Sequence, residues 1–377
     1  MRALITGAAE SPYVRHAPVG TTTASLLADA ARRALGDAGI APRDVDGLGV
    51  ASFSLAPDHA VDLAVRLGLR VRWLMDAATG GASGLDLLQH ARRAVEAGDA
   101  RNILLVSGDH LEPEAFLRLV DEYNASTREF LAPLPTGGPN ALFAMLTRRH
   151  MAKHGLDRSD YGTVAVAQRA WAGANPGAVY RGPLSLEEYL NARVVADPLC
   201  IYDCVPVVSG ADAVVVGTEG SRGAVGVRAL VASHNSDLHE GDGLRTGLQS
   251  VADDIWSSAG AGPGDVDVVA VYDDYPVMAL VQLEELGFAG DGDVRRLIAD
   301  RIATRSLPVN TSGGQLSAGQ AGAAGGMHGL VEVVTQLRGA AGGRQIADAR
   351  LGLVSGYGMV AYRYGACANV AVLERVA

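Results

Sequence analysis

A tyrosine followed by two carboxylates is the first group in this chain that could do acid–base chemistry. Tyr272, Asp273 and Asp274 follow an apolar run typical of a strand, so they are expected at a strand end. A phenol with its ordinary pKa of about 10 donates a hydrogen bond to a forming oxyanion, and it becomes a base only if neighbours lower that pKa. Because side chains alternate along a strand, at most one of the two aspartates faces the same site. The alternative for Tyr272 is a buried ring with a wet hydroxyl.

Glycine-rich segments nearer the carboxyl terminus carry a second group of candidates. Residues 310–319 read Asn-Thr-Ser-Gly-Gly-Gln-Leu-Ser-Ala-Gly, and another glycine-rich stretch, residues 322–327, precedes His328. His328 is interpreted either as a general acid or base at the start of a helix or as a packed or capping imidazole. Tyr357 stands between two glycines beyond a predicted strand, where it is either a turn residue or a phenol that faces the site.

Two histidines four residues apart, His150 and His154, have a spacing that can bind a metal on one helix face. The segment between them lacks the glutamate of a zincin motif and no third ligand is evident, so a solvated helix face is predicted and no metal site is assigned. The only lysine of the sequence, Lys153, lies at the basic end of the same helical stretch. That position suits a solvated helix terminus, so Schiff-base chemistry is not expected. No glycine loop typical of nucleotide binding follows a strand.

Composition limits the class of protein further. The 377 residues are 48% hydrophobic, which suffices for a large core, and no apolar run approaches the ~20 residues of a membrane span. A formal net charge of −10 argues against nucleic acid as a partner, because phosphate binding needs a basic face. The three cysteines are too few for a disulfide framework and are interpreted as small buried thiols. These features predict a soluble, cytoplasmic protein.

The chain contains an internal repeat of helix–strand units. Residues 24–50 and 246–271 each read as an amphipathic helix, a break with glycine and proline, Asp-Val-Asp and a β-rich run. Residues 83–109 and 328–358 each read as a helix, a linker and a strand that ends in Val-Ser-Gly. Repeated alternation predicts an α/β protein with mostly buried sheets, and sites in such sheets form beyond the carboxyl ends of strands. The region 111–222 is interpreted as a long, functional insertion and the strand that closes the first half.

Several of these stretches resemble the thiolase superfamily. Residues 310–319 are similar to the loop before the active-site helix of thiolases, and residues 171–183 and 196–211 are similar to segments of sterol-carrier-protein-type thiolases. Residues 271–287, Val-Tyr-Asp-Asp-Tyr-Pro-Val-Met-Ala-Leu-Val-Gln-Leu-Glu-Glu-Leu-Gly, most resemble the thiolase-like retro-aldolases of bacterial steroid side-chain breakdown. The resemblance implies the thiolase fold, with duplicated helix–sheet halves in a five-layered αβαβα arrangement and an inserted loop domain.

The same resemblance implies boundaries for these parts. Residues 1–115 and 206–225 would form the N-terminal half, residues 116–205 the inserted loop domain, and residues 226–377 the C-terminal half.

The chain departs from the superfamily at the three residues that thiolases use for Claisen chemistry. The position of the nucleophilic cysteine is Gly81, that of the histidine is Gln320, and that of the second cysteine is Tyr357. Glycine cannot carry an acyl group, so ordinary thiolase activity is not expected. Ser83, two residues beyond the lost nucleophile, would need a neighbouring base to replace it and is otherwise a helix N-cap.

The expected catalytic groups are therefore phenol side chains. The resemblance implies retro-aldol cleavage of a 3-hydroxyacyl-coenzyme A thioester. The predicted catalytic residues are Tyr272, Tyr357 and His328, and backbone N–H groups of the glycine loop are expected to hold the thioester carbonyl. The predicted substrate-binding residues are Gly81, Ser83, Asn310, Ser312, Gly313, Gly314 and Gln320. No cofactor is expected to be tightly bound, and coenzyme A enters only as part of the substrate.

Two alternatives stay open at this point. One is acyl transfer within a two-component thiolase-like complex, and the other is a non-catalytic acyl or lipid carrier. By analogy with the superfamily, the expected assembly is a homodimer, with a small partner bearing an OB fold and a zinc ribbon as a possible second component.

Overall fold

The structure is a computed structural model that describes residues 2–131, 133–134, 138–218, 223–237, 241–361 and 364–376. Its strands are β1 (Leu4–Glu10), β2 (Gly47–Ala51), β3 (Trp73–Asp76), β4 (Asn102–Asp109), β5 (Val194–Ala196), β6 (Leu199–Cys200), β7 (Gly210–Gly217), β8 (Val225–His234), β9 (Val268–Ala270), β10 (Leu351–Ala361) and β11 (Tyr364–Arg375). Its helices are α1 (Thr23–Ala38), α2 (His59–Leu67), α3 (Ser83–Ala97), α4 (Pro113–Asp121), α5 (Pro139–His154), α6 (Arg158–Ala172), α7 (Leu186–Leu190), α8 (Ala252–Ala259), α9 (Pro276–Glu285), α10 (Val294–Arg296), α11 (Gly314–Ala318) and α12 (Gly325–Leu337).

The strands of the main sheet reveal the duplication directly. Their order is β3-β2-β4-β7-β1-β8-β11-β10-β9, and β1 meets β8 through only two residue pairs. A further parallel bridge joins Val269 of β9 to Val309, so the second half reads Val309-β9-β10-β11-β8. This is the order of the first half, β3-β2-β4-β7-β1, with the same parallel and antiparallel pairings. The predicted duplication of the two halves is therefore confirmed.

Helices cover the two halves in layers. α3 and α12 lie between the halves, because their apolar side chains share one core with strands of both. α1 and α2 pack on the outer face of the first half, and α8 and α9 pack on the outer face of the second. The order helix, sheet, helix, sheet, helix confirms the five-layered αβαβα arrangement of the thiolase fold.

The central helix α12 is buried on nearly every side, as its composition requires. Its apolar residues are not confined to one stripe, which is typical of a helix enclosed by other elements. Glycines let its first turn approach its neighbours closely: a Cβ on Gly326 would lie 2.7 Å from the carbonyl oxygen of Gly81, and one on Gly329 would lie 3.0 Å from the Cβ of Ala270. This close packing sets His328, in the first turn, beside the end of β9.

The segment between β4 and β7 contributes α4–α7 and the hairpin β5–β6. α5 and α6 pack on α9, and α6 also packs on α11, so this segment lies against the second half. The domain boundaries 1–115 with 206–225, 116–205 and 226–377 remain predictions. Among the described residues, no helix combines the length and apolar character needed to cross a membrane.

Candidate functional site

A small cavity lies beyond the carboxyl end of β9, between the loop at residues 310–314 and the first turn of α12. Its lining residues are Ala270, Val271, Tyr272, Asp273, Asn310, Ser312, Gly314, Gln315, Gly325, Gly326, His328, Gly329, Val354 and Ser355. Half of the ten predicted site residues line it: Tyr272, Asn310, Ser312, Gly314 and His328. Gln320 bonds to one of these residues, and Gly81 packs on one of them. Ser83 and Tyr357 are not among the lining residues.

The glycine loop is tied to β9 by backbone and side-chain bonds. The N–H of Asn310 donates to the carbonyl of Val269 over 2.8 Å, and its Oδ1 accepts from the N–H of Val271 over 2.9 Å. Gly313 and Gly314 both have positive φ, +101° and +60°, which favours glycine. A Cβ on Gly314 would also overlap the carboxylate of Asp273. The loop therefore depends on glycine for its turn and for its close approach to Asp273.

The backbone N–H groups of the two glycines in this loop are already in use, which corrects the expectation that they hold a thioester carbonyl. The N–H of Gly313 donates to the carbonyl of Asn310 over 2.8 Å, and that of Gly314 donates to Ser312 Oγ over 3.2 Å. The next two N–H groups, of Gln315 and Leu316, point to Asp273 over 2.9 and 3.4 Å. These donors stabilise the turn and are not free for a ligand.

Two side-chain amides offer donors instead. Asn310 and Gln315 both line the cavity. Asn310 Nδ2 is buried without a hydrogen-bond partner in the part of the chain that the structure describes, and the Gln315 side chain faces the Asp273 carboxyl, whose pKa its hydrogen bond lowers. Their orientation is fixed by their oxygens, because Asn310 Oδ1 accepts from Val271 and Gln315 Oε1 accepts from Gln320 Nε2 over 3.0 Å. A buried N–H without a partner carries a free-energy cost that a bound oxyanion would relieve.

Tyr272 is a proton donor at neutral pH. Burial, reinforced by the nearby Asp274, raises the pKa of its phenol well above 10, although a hydrogen bond from Gln320 lowers it somewhat. Gln320 Nε2 donates to the phenol oxygen over 2.9 Å, which leaves the phenol hydrogen free to point elsewhere. Tyr272 can therefore give a proton to a ligand in the cavity, and it cannot serve as a base in its resting state.

Asp273 supplies the complementary group. Burial raises the pKa of its carboxyl to about 7, against the opposing effect of hydrogen bonds from the N–H groups of Gln315 and Leu316. Burial and the charge of Asp273 raise the pKa of Asp274 to about 8, but Asp274 does not line the cavity. A carboxyl that titrates near neutrality beside a protonated phenol is the pairing that general acid–base catalysis needs.

His328 is held between the loop and the first half of the protein. Its Nε2 lies 2.7 Å from Ser312 Oγ and its Nδ1 lies 2.8 Å from Glu10 Oε1 on β1. Burial disfavours the charged imidazole, but Glu10 and Asp212 outweigh it and raise the pKa of His328 to about 9. Histidine is then cationic at neutral pH and donates to Ser312, so it cannot take the proton of that serine. The group contains the serine, histidine and carboxylate of a catalytic triad, but its histidine is already protonated and so cannot act as the base.

A buried ion pair between Glu332 and Arg344 stabilises the same loop. Glu332 of α12 accepts from Thr311 Oγ1 over 2.7 Å and pairs with Arg344 over 2.8 Å. Hydrogen bonds and the Arg344 charge outweigh burial and lower the pKa of Glu332, so the pair stays ionised. The loop thus has polar anchors on both sides, at His328 and at Glu332.

Comparison with known proteins places this site in a family. Over 346 residues, the chain is 33% identical to the 17-hydroxy-3-oxo-4-pregnene-20-carboxyl-CoA lyase of Mycobacterium tuberculosis. The alignment covers 85% of this chain and 88% of that protein. Residues 229–375 match the family described as Thiolase C-terminal domain-like. The chain belongs to the thiolase superfamily.

Two further members of the superfamily are similar over most of their length. The steroid side-chain-cleaving aldolase of Thermomonospora curvata is 31% identical, over 85% of this chain and 86% of that protein. A solved structure described as an Ltp2-ChsH2(DUF35) aldolase superposes with a TM-score of 0.85 at 26% identity, and covers 99% of this chain and 98% of that one. The predicted resemblance to thiolase-like steroid side-chain aldolases is confirmed.

In this member of the superfamily, the position of the thiolase nucleophile is closed by packing. A Cβ on Gly81 would overlap the ring of Tyr272 and the carbonyl oxygen of Tyr357. The phenol ring therefore occupies the space that a cysteine side chain would need. Ser83 does not replace the lost nucleophile: its hydroxyl bonds to the N–H and Oγ1 of Thr79 over 3.0 and 3.3 Å, and no imidazole is among its partners in the described residues.

Tyr357 lies within a strand and not in a turn. β10 continues to Ala361, and Tyr357 pairs there with Ala368 of β11. Its side chain is 2% exposed and belongs to the core on the outer face of the second half, where its hydroxyl accepts from the N–H of Gly365. Burial, with Asp274 nearby, raises the pKa of Tyr357 well above 10. The structure therefore does not bring this predicted catalytic phenol into the cavity.

Asp273, Gln315 and Glu10 are functional candidates that the sequence did not assign. Asp273 was visible beside Tyr272, but its raised pKa depends on burial that only the folded chain provides. Gln315 follows the glycine pair directly, so an amide at the start of the short helix was an available signal. Glu10 lies more than 300 positions before His328, and nothing in the sequence joins them.

Proposed function

We propose that this protein cleaves the bond between C2 and C3 of a 3-hydroxyacyl-coenzyme A thioester by a retro-aldol reaction. The observation that carries the proposal is one cavity with a protonated phenol, a carboxyl that titrates near pH 7 and two side-chain amides, of which Asn310 has no partner for its Nδ2 among the described residues. Similarity to steroid side-chain-cleaving aldolases supports it. The blocked cysteine position argues against the acyl-enzyme route of thiolases.

In the proposed reaction, the Asp273 carboxylate takes the proton of the 3-hydroxyl group. The oxygen electrons form the carbonyl of a departing ketone or aldehyde, and the pair from the broken C2–C3 bond enters the thioester as an enolate. Asn310 Nδ2 and Gln315 Nε2 donate to the enolate oxygen, and Tyr272 gives its proton to C2. The proton on Asp273 then returns to the phenolate, so the cycle balances without an oxidant or a metal.

Electrostatics within the site favour this sequence of steps. His328 is cationic at neutral pH and lowers the pKa of Asp273, so it favours the carboxylate form of the base. Its bond to Ser312 also holds the loop that carries Asn310 in place. One preorganised oxyanion donor typically contributes about 10²–10³-fold to a rate, so two amide donors are a substantial part of catalysis.

The product mixture tests the proposal directly. We expect a 3-hydroxyacyl-coenzyme A to give a carbonyl compound and a shortened acyl thioester in equal amounts, without added free coenzyme A. Acyl transfer would require an acceptor and leave an acyl adduct visible in the mass of the intact protein. A carrier would bind the thioester and release no product. Either of those last two results would contradict the retro-aldol proposal.

Replacing Asp273 with asparagine should abolish the pH dependence of the reaction together with most of its rate. Because the carboxylate form is active and burial raises its pKa to about 7, kcat/KM of the wild type should fall about tenfold per pH unit below pH 7 and level off above it. Asp273→Asn should lower kcat/KM by about 10²–10⁴-fold. The measurement is kcat/KM between pH 5 and 9.

Glu285→Gln is the matched control for that experiment. Burial raises the pKa of Glu285 to about 8, but this carboxyl bonds to Thr246 and does not line the cavity. This variant should keep the wild-type pH profile. An Asp273→Asn enzyme that retained the fall in rate below pH 7 would exclude Asp273 as the base.

We also propose that the protein is a cytoplasmic homodimer that binds a small second component. Among the described residues, β3 pairs on one side only, with β2. Leu74 on β3 and Val65 on the adjoining α2 are 42% and 75% exposed. An open strand edge with apolar neighbours supports a homodimer, which would show a solution mass of twice one chain.

The aldolase structure whose description includes ChsH2(DUF35) supports a small second component, of the OB-fold and zinc-ribbon type. We place the protein in the cytoplasm, with coenzyme A bound only as substrate and no tightly bound cofactor.

A further inference from the structure

A cluster of two histidines and a glutamate lies outside the cavity, where α5 meets α9. His150 and His154 are one turn apart on α5, and Glu284 is near the end of α9. Glu284 Oε2 lies 3.3 Å from His154 Nε2 and 3.9 Å from His150 Nε2, and all three atoms lie within 4.8 Å of one another. None of the three residues lines the cavity.

The helix face that carries the two histidines is not solvated, which corrects the sequence-based expectation. His150 is fully buried, and the side chain of His154 is 9% exposed. The Nε2 atoms of both rings are buried without a hydrogen-bond partner among the described residues. Two buried ring nitrogens directed at one carboxylate need either protons or a shared cation.

The orientation of the His150 ring favours a cation. Its Nδ1 lies 2.7 Å from the hydroxyl of Tyr161, a bond that orients the ring and turns Nε2 towards Glu284. An imidazole whose ring is fixed by an outer hydrogen bond is typical of histidine that binds a metal.

We propose that His150 Nε2, His154 Nε2 and Glu284 Oε2 bind one divalent transition-metal ion, with zinc the best match and water as the fourth ligand. Zinc takes four nitrogen or oxygen ligands in a tetrahedron, and bonds of about 2.0–2.1 Å place such ligand atoms about 3.3 Å apart. The present separations need a contraction of at most about 1.5 Å across the cluster. Calcium and magnesium prefer sets of oxygen ligands, which this cluster does not offer.

The position of the ion indicates a structural role. It would join α5, from the segment between β4 and β7, to α9, which begins directly after the Tyr272–Tyr275 turn. Gln282, two residues before Glu284, donates to the carbonyl of Tyr272 over 2.6 Å and accepts from Ser355 over 2.8 Å. The remaining oxygen of Glu284, Oε1, lies 3.2 Å from Lys153 Nζ, so both carboxylate oxygens have defined partners. A bound ion would therefore fix one wall of the site without touching the substrate.

Metal titration of the full chain tests this inference without an activity assay. After treatment with a chelator, the wild type should bind one Zn²⁺ per chain in calorimetry, and Co²⁺ should give the visible absorption of a tetrahedral site. Saturation with Zn²⁺ should raise the melting temperature by roughly 2–5 °C. His154→Ala and Glu284→Gln should each weaken Zn²⁺ binding by at least about 100-fold, because loss of an outer partner alone costs about 10–100-fold.

The control is His16→Ala, which removes an exposed histidine far from the cluster in sequence and should leave Zn²⁺ binding unchanged. His154 and Glu284 are changed in preference to His150, because loss of the fully buried ring could prevent folding. Absence of Zn²⁺ binding in the wild type, or equal binding by His154→Ala and Glu284→Gln, would overturn the inference. Both outcomes leave the proposed retro-aldol reaction untouched, because that reaction uses no metal.

Discussion

Tyr272→Phe should lower kcat by about 10²–10⁴-fold, the typical contribution of one acid–base group. The change removes the hydroxyl that we propose as the proton donor to C2 of the enolate, whereas the ring that fills the space beside Gly81 stays in place. Substrate binding and folding should therefore change little, so the loss should appear in kcat more than in KM. The measurement is steady-state kinetics with a 3-hydroxyacyl-coenzyme A, together with the free energy of unfolding.

The control for this variant is Tyr202→Phe, because Tyr202 is only partly buried and does not line the cavity. It should turn over at the wild-type rate. Full turnover by Tyr272→Phe would refute the role of the phenol, and an equal loss in both variants would show that removal of any tyrosine hydroxyl disturbs the fold.

Gly81→Cys should fail to create a thiolase and should destabilise the protein. The new Cβ would overlap the ring of Tyr272 and the carbonyl oxygen of Tyr357, both in well-packed surroundings. Overpacking of this kind costs about 1–3 kcal/mol in the free energy of unfolding, and relief of the overlap would displace the phenol of the proposed reaction. We expect a lower melting temperature, loss of the aldol activity and no acyl-cysteine in the mass of the intact protein.

A matched pair of variants separates the overlap from the cysteine itself. Gly36 is a helical glycine whose added Cβ would meet no atom within 4 Å, so Gly36→Cys should leave stability and turnover unchanged. Adding Tyr272→Asn to Gly81→Cys removes the overlapping ring, so the double variant should be more stable than the sum of the single changes predicts. A Gly81→Cys protein as stable as the wild type would show that the ring does not fill this space.

The sequence predicted the fold well because the fold depends on patterns that are local and repeated. The pair 24–50 and 246–271 became α1–β2 and α8–β9, in equivalent positions of the two halves. The glycine loop and the strand-end Tyr272 were also assigned to one region, and both line the cavity. Each of these signals lies within a short stretch of chain.

The errors arose where a residue's environment comes from distant parts of the chain. The two glycines that flank Tyr357 favour a turn, but pairing with β11 extends the strand through this residue and turns its ring to the outer core. The histidines of α5 were assigned to solvent because the helix that covers them, α9, lies more than 120 positions later. The occupied N–H groups of the glycine loop could not be foreseen either, since Asp273 takes two of the neighbouring donors.

The proposed use of side-chain amides in place of backbone donors has a consequence for how the protein can be altered. A main-chain N–H is common to almost every residue, so a hole built from backbone changes only when the turn itself changes. Asn310 and Gln315 can be exchanged one codon at a time, and Gln320, which orients Gln315, adds a third position. Laboratory evolution of new substrate preferences should therefore begin with libraries at these three positions.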